Sequence, residues 1–218
     1  MIALAVPCSS PGCRDYLAAL VDGDARRARA VVEKLVIGGM DPRDACVDVL
    51  GLALNAIGEL WQRGELTVAR EHLATAITMA QLAWLAPLLA APPPIPRLAV
   101  LAGTPGELHV VGLRMVADFL EGDGFEVLDL GAATPPDDLI AFVADRRPDV
   151  VGLSTALTTH LIGARATIAG LQALPEPPLV MVGGAAYGGD ADLAAKVGAD
   201  LFAADARAAS ELLRMRLG

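Results

Sequence analysis

Residues 98–112 read Leu-Ala-Val-Leu-Ala-Gly-Thr-Pro-Gly-Glu-Leu-His-Val-Val-Gly. The first five form an uninterrupted apolar run of the length and composition of a strand buried on both faces. A glycine-rich turn follows, and then a helical stretch. The same strand-then-helix unit recurs downstream, with strand-like runs at Glu126–Leu130, Val150–Leu153, Leu179–Val182 and Asp200–Phe202. Strands separated by helices imply a parallel sheet with right-handed crossovers. Five such units predict a flavodoxin-like (Rossmann-type) α/β domain over residues 97–218. In that fold, ligands sit beyond the C-terminal strand ends at the switch point of strand order.

Upstream of this domain every readable segment is helical. A short first helix ends near Gly23, and Asp24 caps a run carrying Ala28, Val31, Leu35 and Val36 that Gly38-Gly39 stops. Asp41-Pro42 opens the next helix, with proline at its first position. Val47, Leu50, Leu54, Ile57 and Trp61 recur there at spacings of three and four, the mark of a buried stripe. Gly64 ends it, and Thr67 caps a fourth helix. Four antiparallel helices with short turns predict a bundle over residues 1–90. The stretch Pro87-Leu-Leu-Ala-Ala-Pro-Pro-Pro-Ile-Pro96 reads as a stiff linker between the two domains.

Composition narrows the function. Hydrophobic residues make up 54% and aromatics 4%, so the cores are built from Ala, Val and Leu. The net charge of −9 argues against direct nucleic-acid binding, which needs clustered Lys and Arg. Leu73–Ala91 is free of charge, yet it holds Thr75, Thr78, Gln81 and Pro87 and is read as a buried bundle helix rather than a membrane span. No Lys or Arg precedes Arg14, so a basic signal-peptide n-region is lacking. Cys8, Cys13 and Cys46 lack zinc-type spacing with histidine, and three reduced thiols in a cytoplasmic protein are expected.

Chemistry gathers at one edge of the expected sheet. The first strand ends in Gly103-Thr-Pro-Gly-Glu-Leu-His-Val-Val-Gly112, the third at Leu153-Ser-Thr-Ala-Leu157, and the fourth at Val182-Gly183-Gly184. The glycine-rich loop is neither a dinucleotide fingerprint nor a P-loop, for it lacks the P-loop lysine. An imidazole at such an edge suits a metal, and Glu107 can bond the ring nitrogen of His109 that does not bind it. Gly112 would permit close helix packing, and Gly183-Gly184 would let a bulky ligand approach the backbone. Residue chemistry alone leaves open a solvated His109–Glu107 pair and a plain glycine turn.

Glu107-Leu-His-Val-Val-Gly112 resembles the Asp-x-His-x-x-Gly signature of base-off, His-on cobalamin domains, with Ser154 and Gly183-Gly184 where that family has its serine segment and glycine pair. The resemblance implies that His109 is the lower axial ligand of cobalt and displaces the cofactor's own benzimidazole. It implies that Ser154 contacts the nucleotide tail, that Leu157 belongs to the same cofactor site, and that Gly183 and Gly184 border it. Glu stands at 107 where the signature has Asp, and the serine segment reads Ser-Thr-Ala-Leu where many members have Ser-x-Leu.

In the helical half, Trp61 lies at a helix end and Glu71-His72 in the first turn of the next helix, so one end of the bundle can hold all three. Packing alone also explains Trp61 as the last core residue of its stripe, and Glu71 as a charge favoured at a helix N-terminus. Gly58-Glu-Leu-Trp-Gln-Arg-Gly-Glu-Leu-Thr-Val-Ala-Arg-Glu-His72 resembles the cap of CarH-type adenosylcobalamin photoreceptor regulators. By that resemblance the bundle covers the upper face of the corrin, Trp61 packs on the adenosyl group, and Glu71 and His72 help to hold it. The family usually carries an N-terminal helix-turn-helix domain, whereas this sequence starts at the bundle. Its best-described members place a histidine after the cap tryptophan; here that residue is Gln62, so no bis-histidine photoproduct is expected. His160 is read as structural or exposed.

These readings predict a stand-alone sensor of light, cobalamin or both, not an enzyme, which signals through self-association or a separate regulatory protein. The main alternative is a methyl-carrying corrinoid protein of a methyltransferase system. An adenosyl-dependent mutase subunit and a plain cobalamin store are the others.

Overall fold

A computed structural model of the chain describes residues 8–89 and 92–218. Residues 1–7, with the N-terminal end read for a signal peptide, and Ala90-Ala91 of the expected linker lie outside the described residues. The chain divides into two compact units between Leu89 and Ala90.

In the first unit, α1 (Pro11–Asp22) opens on Ser10, whose hydroxyl accepts from the Cys13 amide, and closes on Gly23 in the left-handed region. Asp24 caps α2 (Ala25–Ile37) by accepting from the Arg27 amide at 2.9 Å. Proline leads α3 (Pro42–Asp44), which runs through a π-helical stretch, Ala45–Gly51, directly into α4 (Leu52–Gln62). Thr67 caps α5 (Val68–Leu85). The helical runs are therefore four: α1, α2, α3 through α4, and α5.

The π stretch moves the buried stripe of the third run. Its core is Cys46, Val49, Leu50, Ala53, Ala56, Ile57 and Leu60, while Val47, Leu54 and Trp61 stand half-buried at the margin. A π turn takes more residues than an α turn, so a stripe counted at α spacing drifts off the true face. Small residues at the centre of that face allow close helix packing. Leu60, not Trp61, is the last core residue.

Helix α5 buries Ala74, Ile77, Thr78, Gln81, Leu82 and Leu85. Among the described residues no helix is long and apolar enough to cross a membrane. Cys8 and Cys13 are joined as a disulfide, a correction to the expectation of three reduced thiols; Cys46 is a buried free cysteine. The turn through Ser10 and Pro11 folds Cys8 back onto the first turn of α1, with 5.3 Å between the two Cα atoms.

The second unit is a five-stranded parallel sheet in the order β2-β1-β3-β4-β5. The strands are β1 (Leu98–Gly103), β2 (Glu126–Asp129), β3 (Val150–Ser154), β4 (Leu179–Gly183) and β5 (Leu201–Ala203). Period-two alternation sorts their side chains to two faces. Val100, Ala102, Val151, Leu153, Val180 and Val182 pack under α7 (Pro136–Arg146), α8 (Leu161–Gln172) and α9 (Ala191–Lys196). Ala99, Leu101, Val150, Met181 and Ala203 pack under α6 (Val111–Gly122) and α10 (Ala206–Leu217). Both faces are covered, which is why the strands read as continuous apolar runs. The second half of the expected linker is anchored to this unit: the Ile95 amide donates to the Gly124 carbonyl at 2.9 Å.

Tyr16 of α1 is fully buried, and its hydroxyl lies 3.0 Å from that of Thr78 on α5. Burial pushes the phenol up to about 12, and the Thr78 bond partly opposes this. A folded-state value above the unfolded one means that the neutral phenol stabilises the native state below pH 10.0, and that this contribution is lost as pH rises through 12. Tyr16→Phe is expected to cost about 1 kcal/mol at neutral pH. It should also flatten the loss of stability between those two pH values, as measured by denaturant unfolding of the full chain.

Candidate functional site

The register of the sheet aligns one row across its C-terminal edge: Gly103 faces Ser154, Ser154 faces Gly183, and Gly183 faces Ala203. Order reverses between β1 and β3, so the loops leaving those two strands flank the switch point. Glu107 sits in the first of these loops with none of its surface exposed.

Its carboxylate joins the two loops. Oε1 accepts from the His109 backbone amide at 2.9 Å and faces Nδ1 of the His109 ring at 2.5 Å. Oε2 accepts from the backbone amides of Ala156 at 2.8 Å and Leu157 at 3.2 Å, and faces Nδ1 of His160 at 3.0 Å. Burial pushes this carboxyl up, but the hydrogen bonds from His109, His160 and Ala156 more than reverse that and hold it at about 2. An ionised carboxylate only accepts, so each histidine presents Nδ1–H to it. That leaves the lone pair of His109 on Nε2, in a side chain that is 45% exposed. This is the tautomer a metal-binding imidazole needs.

The backbone frames the same loop. Ala133, in the left-handed region at φ 48, donates to the Glu107 carbonyl at 2.9 Å. The Thr104 amide and hydroxyl both donate to the Ser154 carbonyl, at 3.0 and 3.2 Å. Thr104 and Thr155 are buried with their hydroxyls 3.3 Å apart.

The predicted residues of this unit fall as follows. Ser154 ends β3, half-buried, and Leu157 gives its amide to Glu107. Gly112 lies in the first turn of α6, where a Cβ would meet nothing within 4 Å; the expected close helix packing there is not found. Gly183 and Gly184 are required by the protein's own backbone rather than by a ligand alone. A Cβ on Gly183 would lie 2.8 Å from the Ala203 carbonyl oxygen, and one on Gly184, at φ +108, would collide with the Thr155 carbonyl. His160 is not a bystander, since it reaches Glu107. The sequence marks no role for Thr104, Thr155 or Ala156, and His160, expected to be structural or exposed, is structural, with Glu107 as a partner that no local pattern names. The one available signal was Glu107 itself, because a carboxylate that enters a strand-end loop and is buried there must find several donors.

In the helical unit Trp61 is half-buried in the last turn of α4, and Arg63-Gly64-Glu65-Leu66 connects it to the capped start of α5. The Glu71 side chain is mostly buried and accepts from the Thr75 hydroxyl at 3.0 Å. His72 is 73% exposed, with Nε2 3.6 Å from Glu71. Trp61, Glu71 and His72 thus share one end of this unit. A shallow hollow lined by Asp149, Gln172, Pro177 and Asp200 lies at the opposite, N-terminal edge of the sheet and takes no part in the site.

Comparison with known proteins identifies the family. A B12 binding domain family matches residues 97–214, and a second B12 binding domain family matches residues 13–86. The HTH-type transcriptional repressor CarH of Myxococcus xanthus is 40% identical over 171 residues, which are 78% of this chain and 56% of that protein. The chain thus spans little more than half of that relative. Dimethylamine corrinoid protein 1 of Methanosarcina acetivorans is 33% identical over 182 residues, 81% of this chain and 84% of the relative. The solved structure of the Methanosarcina barkeri monomethylamine corrinoid protein has the same fold, with a TM-score of 0.80 at 19% identity over 93% of this chain and 96% of that one. With both parts of the sequence matched, this chain belongs to the B12-binding domain family and is a cobalamin-binding protein.

Proposed function

We propose that this chain is an adenosylcobalamin-dependent light sensor that signals through altered self-association or through a separate regulatory protein, with His109 as the lower ligand of cobalt. The observation that carries the sensor reading is the placement of Trp61 in the last turn of α4 and of Glu71 and His72 at the start of α5, at one end of the helical unit. A tryptophan, a carboxylate and an imidazole at one end suit a bulky nucleoside better than a methyl group that must pass between proteins. The 40% identity to CarH supports the same reading.

The donor set fits a corrin. Among the described residues no group of three His, Cys, Asp or Glu side chains could hold a metal ion. His109 therefore offers one nitrogen, which suits a metal that arrives with its own ring of equatorial ligands. Glu107 fixes the tautomer and raises the basicity of that nitrogen. When bound, adenosylcobalamin supplies a cobalt–carbon bond that light can break. The chain's own part is to hold and read out: in the second unit Ser154, Leu157, Gly112, Gly183 and Gly184 would hold the cofactor, and in the first Trp61, Glu71 and His72 would hold its adenosyl group. An amide stands at Gln62, so the chain has no imidazole next to the cap tryptophan for the upper cobalt position.

A second reading has its own support. Dimethylamine corrinoid protein 1 is matched over 84% of its length, which favours a methyl-carrying corrinoid protein. The two readings part on what happens when the upper ligand leaves.

For His109→Ala, affinity for adenosylcobalamin is expected to fall on the order of tenfold, with loss of the His-on absorption spectrum; unchanged spectra contradict His109 as ligand. Size-exclusion chromatography with absorbance detection, on adenosylcobalamin-loaded protein before and after green light, tests signalling by self-association against the carrier. Signalling by self-association predicts a change in both spectrum and elution volume, and Trp61→Ala should abolish the elution change. A spectral change at constant size contradicts that route and leaves the carrier or a sensor that acts through a separate protein.

A further inference from the structure

His160 lies 53 residues from Glu107, after β3, yet it completes the set of donors around the Glu107 carboxylate. Oε1 is taken up wholly by His109, through its backbone amide and its ring. Oε2 receives two backbone amides and the ring of His160. The His160 ring lies close beside the same loop, since a Cβ on Gly106 would lie 3.3 Å from its Nε2. Gly106, at φ +82, leaves the space that lets the imidazole lie against the turn. At the start of α8, a Cβ on Gly163 would lie 3.5 Å from Pro105, so the segment carrying His160 runs close to the His109 loop.

Amides on a loop can hold a carboxylate oxygen in place, but a side-chain donor on the far side fixes the plane of the carboxylate. That plane sets where Oε1 points, and Oε1 sets the orientation of the His109 ring. We propose that His160 is a positioning residue for the cobalt ligand: through Glu107 it holds the His109 imidazole with Nε2 directed away from the loop. Ser154 meets the loop through its backbone carbonyl.

This inference rests on the cobalamin reading with His109 as ligand, and its test separates the two. The probe is cob(II)inamide, a corrinoid without a nucleotide base, so that axial nitrogen seen by electron paramagnetic resonance comes from the protein. The full chain is compared with His160→Ala, with His160→Met, which fills similar space without donating, and with His160→Gln, whose amide can donate to Glu107. The wild-type spectrum should carry nitrogen splitting from His109. His160→Ala and His160→Met should lower the ratio of His-on to His-off corrinoid about tenfold at unchanged fold, and His160→Gln should restore most of it. If His160→Ala does not fold, His160→Met carries the comparison. Wild-type splitting that persists undiminished in the non-donating variants overturns the role of His160 and leaves His109 as ligand. Absence of splitting in the wild type overturns the ligand assignment itself, and with it this inference.

Discussion

The site depends on one buried negative charge. Glu107 carries an ionised carboxylate at a position with no solvent exposure, and such a charge is tolerated only when donors surround it. Those donors come from two loops that leave adjacent parallel strands, so the charge ties together the two sides of the switch point. The ring nitrogen of His109 is one of the donors. The same hydrogen bonds that make the burial tolerable therefore set the tautomer of the residue that faces outward. One side chain both ties the two loops together and orients the His109 ring, and neither role can be removed alone.

The sheet makes this arrangement possible. Parallel register brings Gly103, Ser154 and Gly183 into one row, and the Thr104 and Thr155 amides continue that pairing beyond the strands, to the carbonyls of Ser154 and Gly183. The β2 loop adds Ala133, in a conformation unusual for a residue with a side chain, to hold the Glu107 carbonyl. Glycine at 183 and 184 leaves room for neighbouring backbone to come close, so part of what a cobalamin-domain signature records is the packing of the protein on itself. In the helical unit the placement of Trp61, Glu71 and His72 follows from equally local causes. Thr67 starts α5 one short connection after α4 ends, which puts Glu71 and His72 at the same end as Trp61.

Much of this was legible in the sequence because it is encoded locally. Four of the five strands are short apolar runs, β2 (Glu-Val-Leu-Asp) being the exception, and each was placed within one or two residues; β5 begins at Leu201, after Asp200 pairs its carboxylate and amide with Val180. Helix starts at Asp24, Asp41 and Thr67 were visible as caps. The π stretch at Ala45–Gly51 was not, since counting at helical spacing assumes the period that a π turn changes. His160 is expected from the sequence to be structural or exposed, and it is structural, but no local pattern marks a histidine that bonds a carboxylate across two loops. The helix packing expected at Gly112 is not seen within this unit, where a Cβ would meet nothing within 4 Å.

The most direct test of the account is whether the nitrogen on cobalt belongs to a histidine of this chain. Protein labelled with 15N-histidine and loaded with unlabelled cob(II)alamin distinguishes the possible axial donors by electron paramagnetic resonance. The account predicts that the nitrogen splitting changes from the triplet of 14N to the doublet of 15N, and that His109→Ala removes the doublet. A triplet that persists in the labelled protein means that the cofactor keeps its own base on cobalt, and it would contradict the central assignment.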